Sequence, residues 1–278
     1  MIRLVLLAAL LAGGSYFGYE TVEAPGNQLF GQTLVAGSPT QREVALTFDD
    51  GPNPPYTDRI LDVLKAEHAP ATFFVVGRAA VAYPGTLRRI VREGHAIGNH
   101  TWDHSHLIVQ STTAMRSELE RTEAAIARLT GVHTNLMRPP FGARDFAVIS
   151  EAHKLGYRVV MWSVPLPKDW EQPGDATIAK RVVDAVADGS IIVLHDGNEG
   201  ILCAREHLPA HECDRAQDVA ATREIIDTLR ARGYRFVTIP QLIADAARPT
   251  TAAVRPDNGR VVSAAARAGA ARPAVAAR

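Results

Sequence analysis

Two short runs in this sequence have the residue types and spacing of metal chemistry: Thr47-Phe48-Asp49-Asp50-Gly51-Pro52 and His100-Thr101-Trp102-Asp103-His104. Imidazole is the commonest neutral ligand for a borderline divalent ion, and histidines at i and i+4 face one way where the chain turns helically. Thr101 stands where the helical zinc-protease motif has Glu, so that motif is excluded. Taken alone, the second run reads equally as a polar loop, and the first as a β-turn rich in Asp, Gly and Pro. Adjacent carboxylates at the end of a buried strand repel, however, unless a positive charge lies between them. A divalent ion supplies that charge: one carboxylate binds it and the other stays free as a base. One Asp and two His make three ligands and leave a coordination position open to water, whose pKa such an ion lowers towards about 7.

These residues need elements to position them. Apolar, β-branched runs predict strands at 44–48, 71–76, 95–98, 135–138, 157–162, 190–194 and 235–238. Helical patterns fall between them at 57–67, 86–93, 113–129, 145–155, 177–187 and 216–232, several followed by a Gly stop such as Gly94, Gly131 and Gly233. This alternation implies an α/β fold with a parallel sheet covered by helices, either a barrel or an open doubly wound sheet. Polar residues collect just after the strands: Asp49 and Asp50, His100 and His104, Arg138, Asp169, then His195 and Asp196. In a parallel fold those positions share the C-terminal rim, where such proteins keep their active sites.

The chain has 278 residues, 46% of them hydrophobic, enough for a sizeable core. Lys+Arg and Asp+Glu each total 30, a balance that argues against a nucleic-acid partner. Residues 1–19 carry Arg3, an apolar run over 4–11 and then Ala12, Gly13, Gly14 and Ser15, the order of a signal peptide; an uncleaved N-terminal membrane anchor is the alternative. Residues 20–42 read as a linker with a short strand at 32–36, and 249–278 as a disordered Ala/Arg-rich tail. The only cysteines, Cys203 and Cys213, lie close together in a polar stretch and would form a loop-stapling disulfide in an oxidising compartment. Free thiols, or a zinc site with His207 and His211, are the other readings.

With Arg138-Pro139-Pro140-Phe141-Gly142, Asp169-Trp170 and Leu194-His195-Asp196 added in order, the sequence resembles the NodB-homology polysaccharide deacetylases, carbohydrate esterase family four, over roughly 43–240. The resemblance implies a catalytic domain at 43–248 folded as a distorted (β/α)7-type barrel, with its active site at the C-terminal strand ends. It further implies one divalent ion, zinc before cobalt or another, on Asp50, His100 and His104. Asp49 would be the base for a metal-bound water that attacks an acetyl carbonyl, and His195 the acid for the leaving group. Arg138 would orient Asp49, and Asp169 would sit against His195. The Phe141 N–H would stabilise the oxyanion, since Pro139 and Pro140 have no N–H to give; Trp170 and Leu194 would wall in the acetyl methyl. The stretch 162–170 departs from the family pattern, lacking an extra acidic residue before Asp169 and carrying Pro165 and Pro167.

The function so implied is N-deacetylation of an extracytoplasmic polysaccharide: peptidoglycan, a chitin-like chain or an exopolysaccharide of N-acetylglucosamine or N-acetylmuramic acid. O-deacetylation of a polymer such as xylan, a non-catalytic carbohydrate-binding barrel, and an Fe(II) oxygenase on the same two-His-one-carboxylate set are the competing classes.

Overall fold

A computed structural model describes residues 21–199 and 213–248. The leader, the tail, Cys203, His207 and His211 lie outside the described residues. Cys213 is buried, and no free cysteine is found among the described residues. No helix of the described residues is long and apolar enough to cross a membrane.

All seven residues of β1 (Glu43–Asp49) are buried, because the strand is covered on both faces and paired along both edges. One edge pairs with β6 (Ser190–His195) from Val44↔Ser190 to Asp49↔His195. β1 pairs at its start with β7 (Arg235–Phe236) and at its end with β2 (Thr72–Val75). The sheet continues through β3 (Ala96–Asn99), β4 (Leu136–Met137) and β5 (Arg158–Val159), parallel throughout, in the order β5-β4-β3-β2-β1-β6.

Helices follow the strands: α1 (Tyr56–Ala66), α2 (Gly77–Ala82), α3 (Pro84–Arg92), α4 (Thr112–Thr130), α5 (Phe146–Lys154), α6 (Asp175–Ala185), α7 (Ala216–Ala231) and α8 (Ile239–Ala246). α2 and α8 are not foreseen by the sequence patterns; α8 begins on a capping box between Thr238 and Gln241. Side-chain alternation divides the core in two. Val44, Leu46 and Phe48 join Ile60, Ile178 and Ile225 in an outer sheet–helix layer, while Ala45, Phe74, Met137, Ile191 and Val193 pack in an inner one.

The predicted linker is built into the barrel. Leu34 forms a parallel bridge with Val160, and Ala36 an antiparallel bridge with Ser190, so one strand-like segment touches both β5's continuation and β6. The Leu34 N–H bonds to Val159 O at 2.8 Å, and the Met161 N–H bonds to Leu34 O at 2.7 Å. Phe30, Leu34 and Val35 pack against the inner cluster. Its Gly- and Pro-rich composition signals irregular backbone, not freedom from the core. This junction also explains why β5 is two residues long rather than the predicted 157–162: beyond Val159 its hydrogen bonds pass partly to Leu34.

Candidate active site

Strand ends deliver the motif residues to one cavity of ≈ 310 Å³, lined among others by Asp49, Asp50, His100, His104, Phe141, Trp170 and His195. The backbone there is unusual. Asp50, Thr101, His104 and Phe141 have positive φ (77°, 67°, 63° and 60°), a region that costs non-glycine residues about 1–3 kcal/mol each. Such conformations persist only where the surroundings impose them, and they do so at these four positions on the rim.

Asp50, His100 and His104 are buried and place one ligand atom each within 4.8 Å of the others. His104 Nε2 lies 3.1 Å and His100 Nε2 3.4 Å from the same oxygen, Asp50 Oδ1. That oxygen has no hydrogen-bond partner among the described residues, whereas Oδ2 accepts the Glu199 N–H at 2.8 Å. His100 Nδ1 lies 2.8 Å from Arg138 O, a contact that makes Nδ1 the donor and leaves Nε2 its lone pair. Two imidazole Nε2 atoms and a buried carboxylate oxygen without a partner among the described residues, gathered about one point, fit a divalent ion. Burial would raise the Asp50 pKa, but His104 and His100 hold it well below the usual carboxylate range; burial lowers that of His104 while Asp50 raises it further.

Asp49 meets the cluster from the side. Its Oδ1 accepts from Arg138 Nη1 at 2.6 Å, and its Oδ2 stands 3.9 Å from His100 Nε2. Arg138 is fully buried, bonded also to Thr47 Oγ1, Val160 O and Met161 O, and lies over the Phe74 ring at 4.1 Å. Burial draws its pKa down and Asp49 pulls it back up. Removing either partner strands a buried charge, which costs about 3–5 kcal/mol.

Asp169 reaches His195 in spite of the prolines before it. A 3₁₀ turn at Asp169–Glu171 buries its carboxylate, which accepts the His195 N–H at 2.7 Å and lies 2.9 Å from Nδ1. Burial opposes charge on His195, yet Asp169, with smaller help from Asp50 and Asp49, raises its pKa to about 10. Trp170 packs edge-on to His195 at 5.5 Å.

Residues 36–160 match the polysaccharide deacetylase family. A peptidoglycan-N-acetylglucosamine deacetylase of Bacillus cereus is 34% identical over 227 residues, 81% of this chain and 93% of that protein. The chain belongs to the polysaccharide deacetylase family. A chitooligosaccharide deacetylase of Azorhizobium caulinodans is 34% identical over 72% of this chain and 94% of its own. The crystal structure of a peptidoglycan N-acetylglucosamine deacetylase bound to 4-naphthalen-1-yl-N-oxidanyl-benzamide superposes with a TM-score of 0.68 at 33% identity, covering 76% of this chain and 92% of that one. The fold is therefore the (β/α) barrel of these deacetylases.

Within this deacetylase fold, two residues of the last motif stay out of the cavity, and for Leu194 this differs from expectation. Leu194 does not reach the cavity: it is fully buried in the outer layer, and Val193 lines the cavity instead. Strand alternation sends Val193 and His195 inward and Leu194 outward, a parity fixed by β6's register against β1. Asp196 does not line the cavity either. It accepts from Thr57 Oγ1 at 2.5 Å, and burial pushes its carboxyl up to about 7. A Cβ at Gly51 would lie 2.0 Å from Asp196 Oδ2, and one at Gly197 would lie 2.4 Å from Asp50 O, so both glycines permit this close packing beneath the Asp50 turn.

Other site residues carry no motif signal. Trp162 and Leu166 join Val193 on the apolar wall. Glu118 of α4 accepts the N–H groups of Trp102 (2.8 Å) and Asp103 (3.2 Å), holding the loop between the two histidines. Glu118→Ala leaves those donors without their acceptor and is expected to weaken divalent-metal affinity roughly 10–100-fold, as loss of an outer-shell partner does. A zinc titration of the variant checks this, with affinity equal to the unmodified protein as the contrary result.

Proposed function

We propose that this polysaccharide deacetylase is a metal-dependent hydrolase that removes N-acetyl groups from an extracytoplasmic polysaccharide built of N-acetylglucosamine or N-acetylmuramic acid. The observation that carries the reading is the convergence of His100 Nε2 and His104 Nε2 on Asp50 Oδ1, which has no partner among the described residues. These three residues would hold one divalent ion. Their nitrogen and oxygen donor set suits zinc, with cobalt as a substitute. The ion, when bound, supplies a Lewis acid that acidifies water and polarises the acetyl carbonyl.

The chain's own residues do the rest. Asp49, ionised and turned by Arg138, receives the proton of the attacking water through Oδ2. The Phe141 N–H stands at the positive-φ turn after Pro140 and donates to the carbonyl oxygen as charge develops on it. His195, kept protonated by Asp169, gives its proton to the leaving amine. Trp162, Leu166 and Val193 exclude water around the acetyl methyl, and Trp170, 43% exposed, offers an aromatic face to the sugar.

The similarity to peptidoglycan-N-acetylglucosamine and chitooligosaccharide deacetylases supports an amide rather than an ester substrate, and the predicted leader supports an extracytoplasmic location. Acetate release is the test. Chelator-treated protein is expected to lose activity on N-acetylchitooligosaccharides and to regain it with zinc or cobalt, with little release from acetylated xylan. Undiminished turnover without metal, or preference for the xylan ester, would refute the reading.

A further inference from the structure

We propose that residues 21–27 form a built wall of the active site, and that Glu23 within them is a specificity-determining residue turning the site from carboxylate-bearing sugars towards uncharged N-acetylglucosamine chains. The proposal rests on the hydrolase reading above and names its substrate more narrowly.

The wall is held by Arg144, just beyond the Arg138–Gly142 run. Its side chain is almost wholly buried and bonds to six carbonyl oxygens: Val22 and Glu23 (3.4 Å each), Ala24 (2.7 Å), Pro25 (3.2 Å), Asn27 (2.7 Å) and Gly142 (2.9 Å). The Arg144 N–H adds a bond to Val22 O at 3.1 Å. A guanidinium taken out of water demands such acceptors, so this segment is fixed by the desolvation of a charge rather than resting on the surface. The approach is close: a Cβ on Gly142 would lie 3.2 Å from Glu23 O, and Gly142 already needs φ +70°. Gly142 belongs to the same turn as Phe141, and Glu23 lines the same cavity as Asp49, Asp50 and His195.

The charges explain what Glu23 would do there. With an ion bound, Asp49 and Asp50 are offset by that ion and by Arg138. The remaining inner cations are Arg215, tied through Nε to Gly197 O at 2.6 Å, and His195, whose Nδ1 lies 2.9 Å from Asp169. That inner set alone would welcome an anion. Glu23 and Glu199 are the further acidic residues lining the cavity, and their charge opposes it. A sugar carboxylate placed within several ångströms of Glu23 in a partly hydrated cleft would lose roughly three- to tenfold in affinity, an effect that added salt weakens. A neutral chitin-like strand would not feel this repulsion.

The zinc-loaded full chain is tested for acetate release from reduced tetra-N-acetylchitotetraose and from a peptide-free glycan alternating N-acetylglucosamine with N-acetylmuramic acid. Wild-type kcat/KM is expected to favour the neutral oligomer by about tenfold. Glu23→Gln should narrow that ratio roughly three- to tenfold, Glu23→Asp should preserve it, and raised ionic strength should shrink the difference. A ratio unchanged in Glu23→Gln, or an equal fall on both substrates, would overturn the proposal. Wild-type protein releasing acetate from neither would overturn the hydrolase reading and this inference with it.

Discussion

Asp49→Asn is expected to lower kcat for acetate release by about 10²–10⁴-fold while metal content stays at the wild-type level. The side chains have the same shape, so Asn can still occupy the space between Arg138 and His100, but it has no lone pair basic enough to take a proton from water. Because Arg138 Nη1 loses its charged partner at 2.6 Å, stability should also fall, by about 3–5 kcal/mol for an uncompensated buried cation. Kinetics at a temperature well below the variant's Tm, with metal measured in the same preparation, separates the two effects. If activity fell only in step with lost metal, Asp49 would be a ligand and not the base.

The second large effect concerns pH. His195 acts as an acid only while protonated, and its pKa of about 10 means that form is present throughout the neutral range and lost as pH rises through that value. Asp169→Asn removes the charge that opposes burial. The His195 pKa should then fall by about 1–3 units, moving the alkaline limb of the kcat profile towards lower pH by a similar amount. At mildly alkaline pH the variant would be largely deprotonated and slow, while near pH 6 it would recover part of its rate. The amide oxygen can still accept one bond from His195, so orientation is partly kept and the pH profile, not the rate at one pH, is the informative readout. An unmoved alkaline limb would show that Asp169 does not set the charge of His195.

Much of this was legible in the sequence because the chemistry lies where strands end. Asp49, Asp50, His100, His104, Arg138 and His195 each follow a recognisable apolar run, and parallel strands bring such ends to one rim. Parity was harder to read. Whether Leu194 or Val193 faces inward depends on the register of β6 beside β1, which the apolar run Ser190–His195 does not reveal, since both faces of this strand are buried. Contacts distant in sequence left no local pattern at all. Glu118 supports the histidine loop from α4, and Arg144 clamps residues more than a hundred positions earlier, yet neither differs in type from an ordinary surface residue. The segment bridging to Val160 and Ser190 reads as linker because its composition records its irregular backbone and says nothing of what it packs against.

Metal stoichiometry and affinity test the central claim most directly. Wild-type protein stripped with chelator and titrated with zinc is predicted to bind one ion per chain tightly, and Asp50→Asn, His100→Ala and His104→Ala are each predicted to weaken that binding at least tenfold while remaining folded. Zinc binding in these variants that matches the wild type, or no zinc bound by a wild type that still releases acetate, would contradict the account.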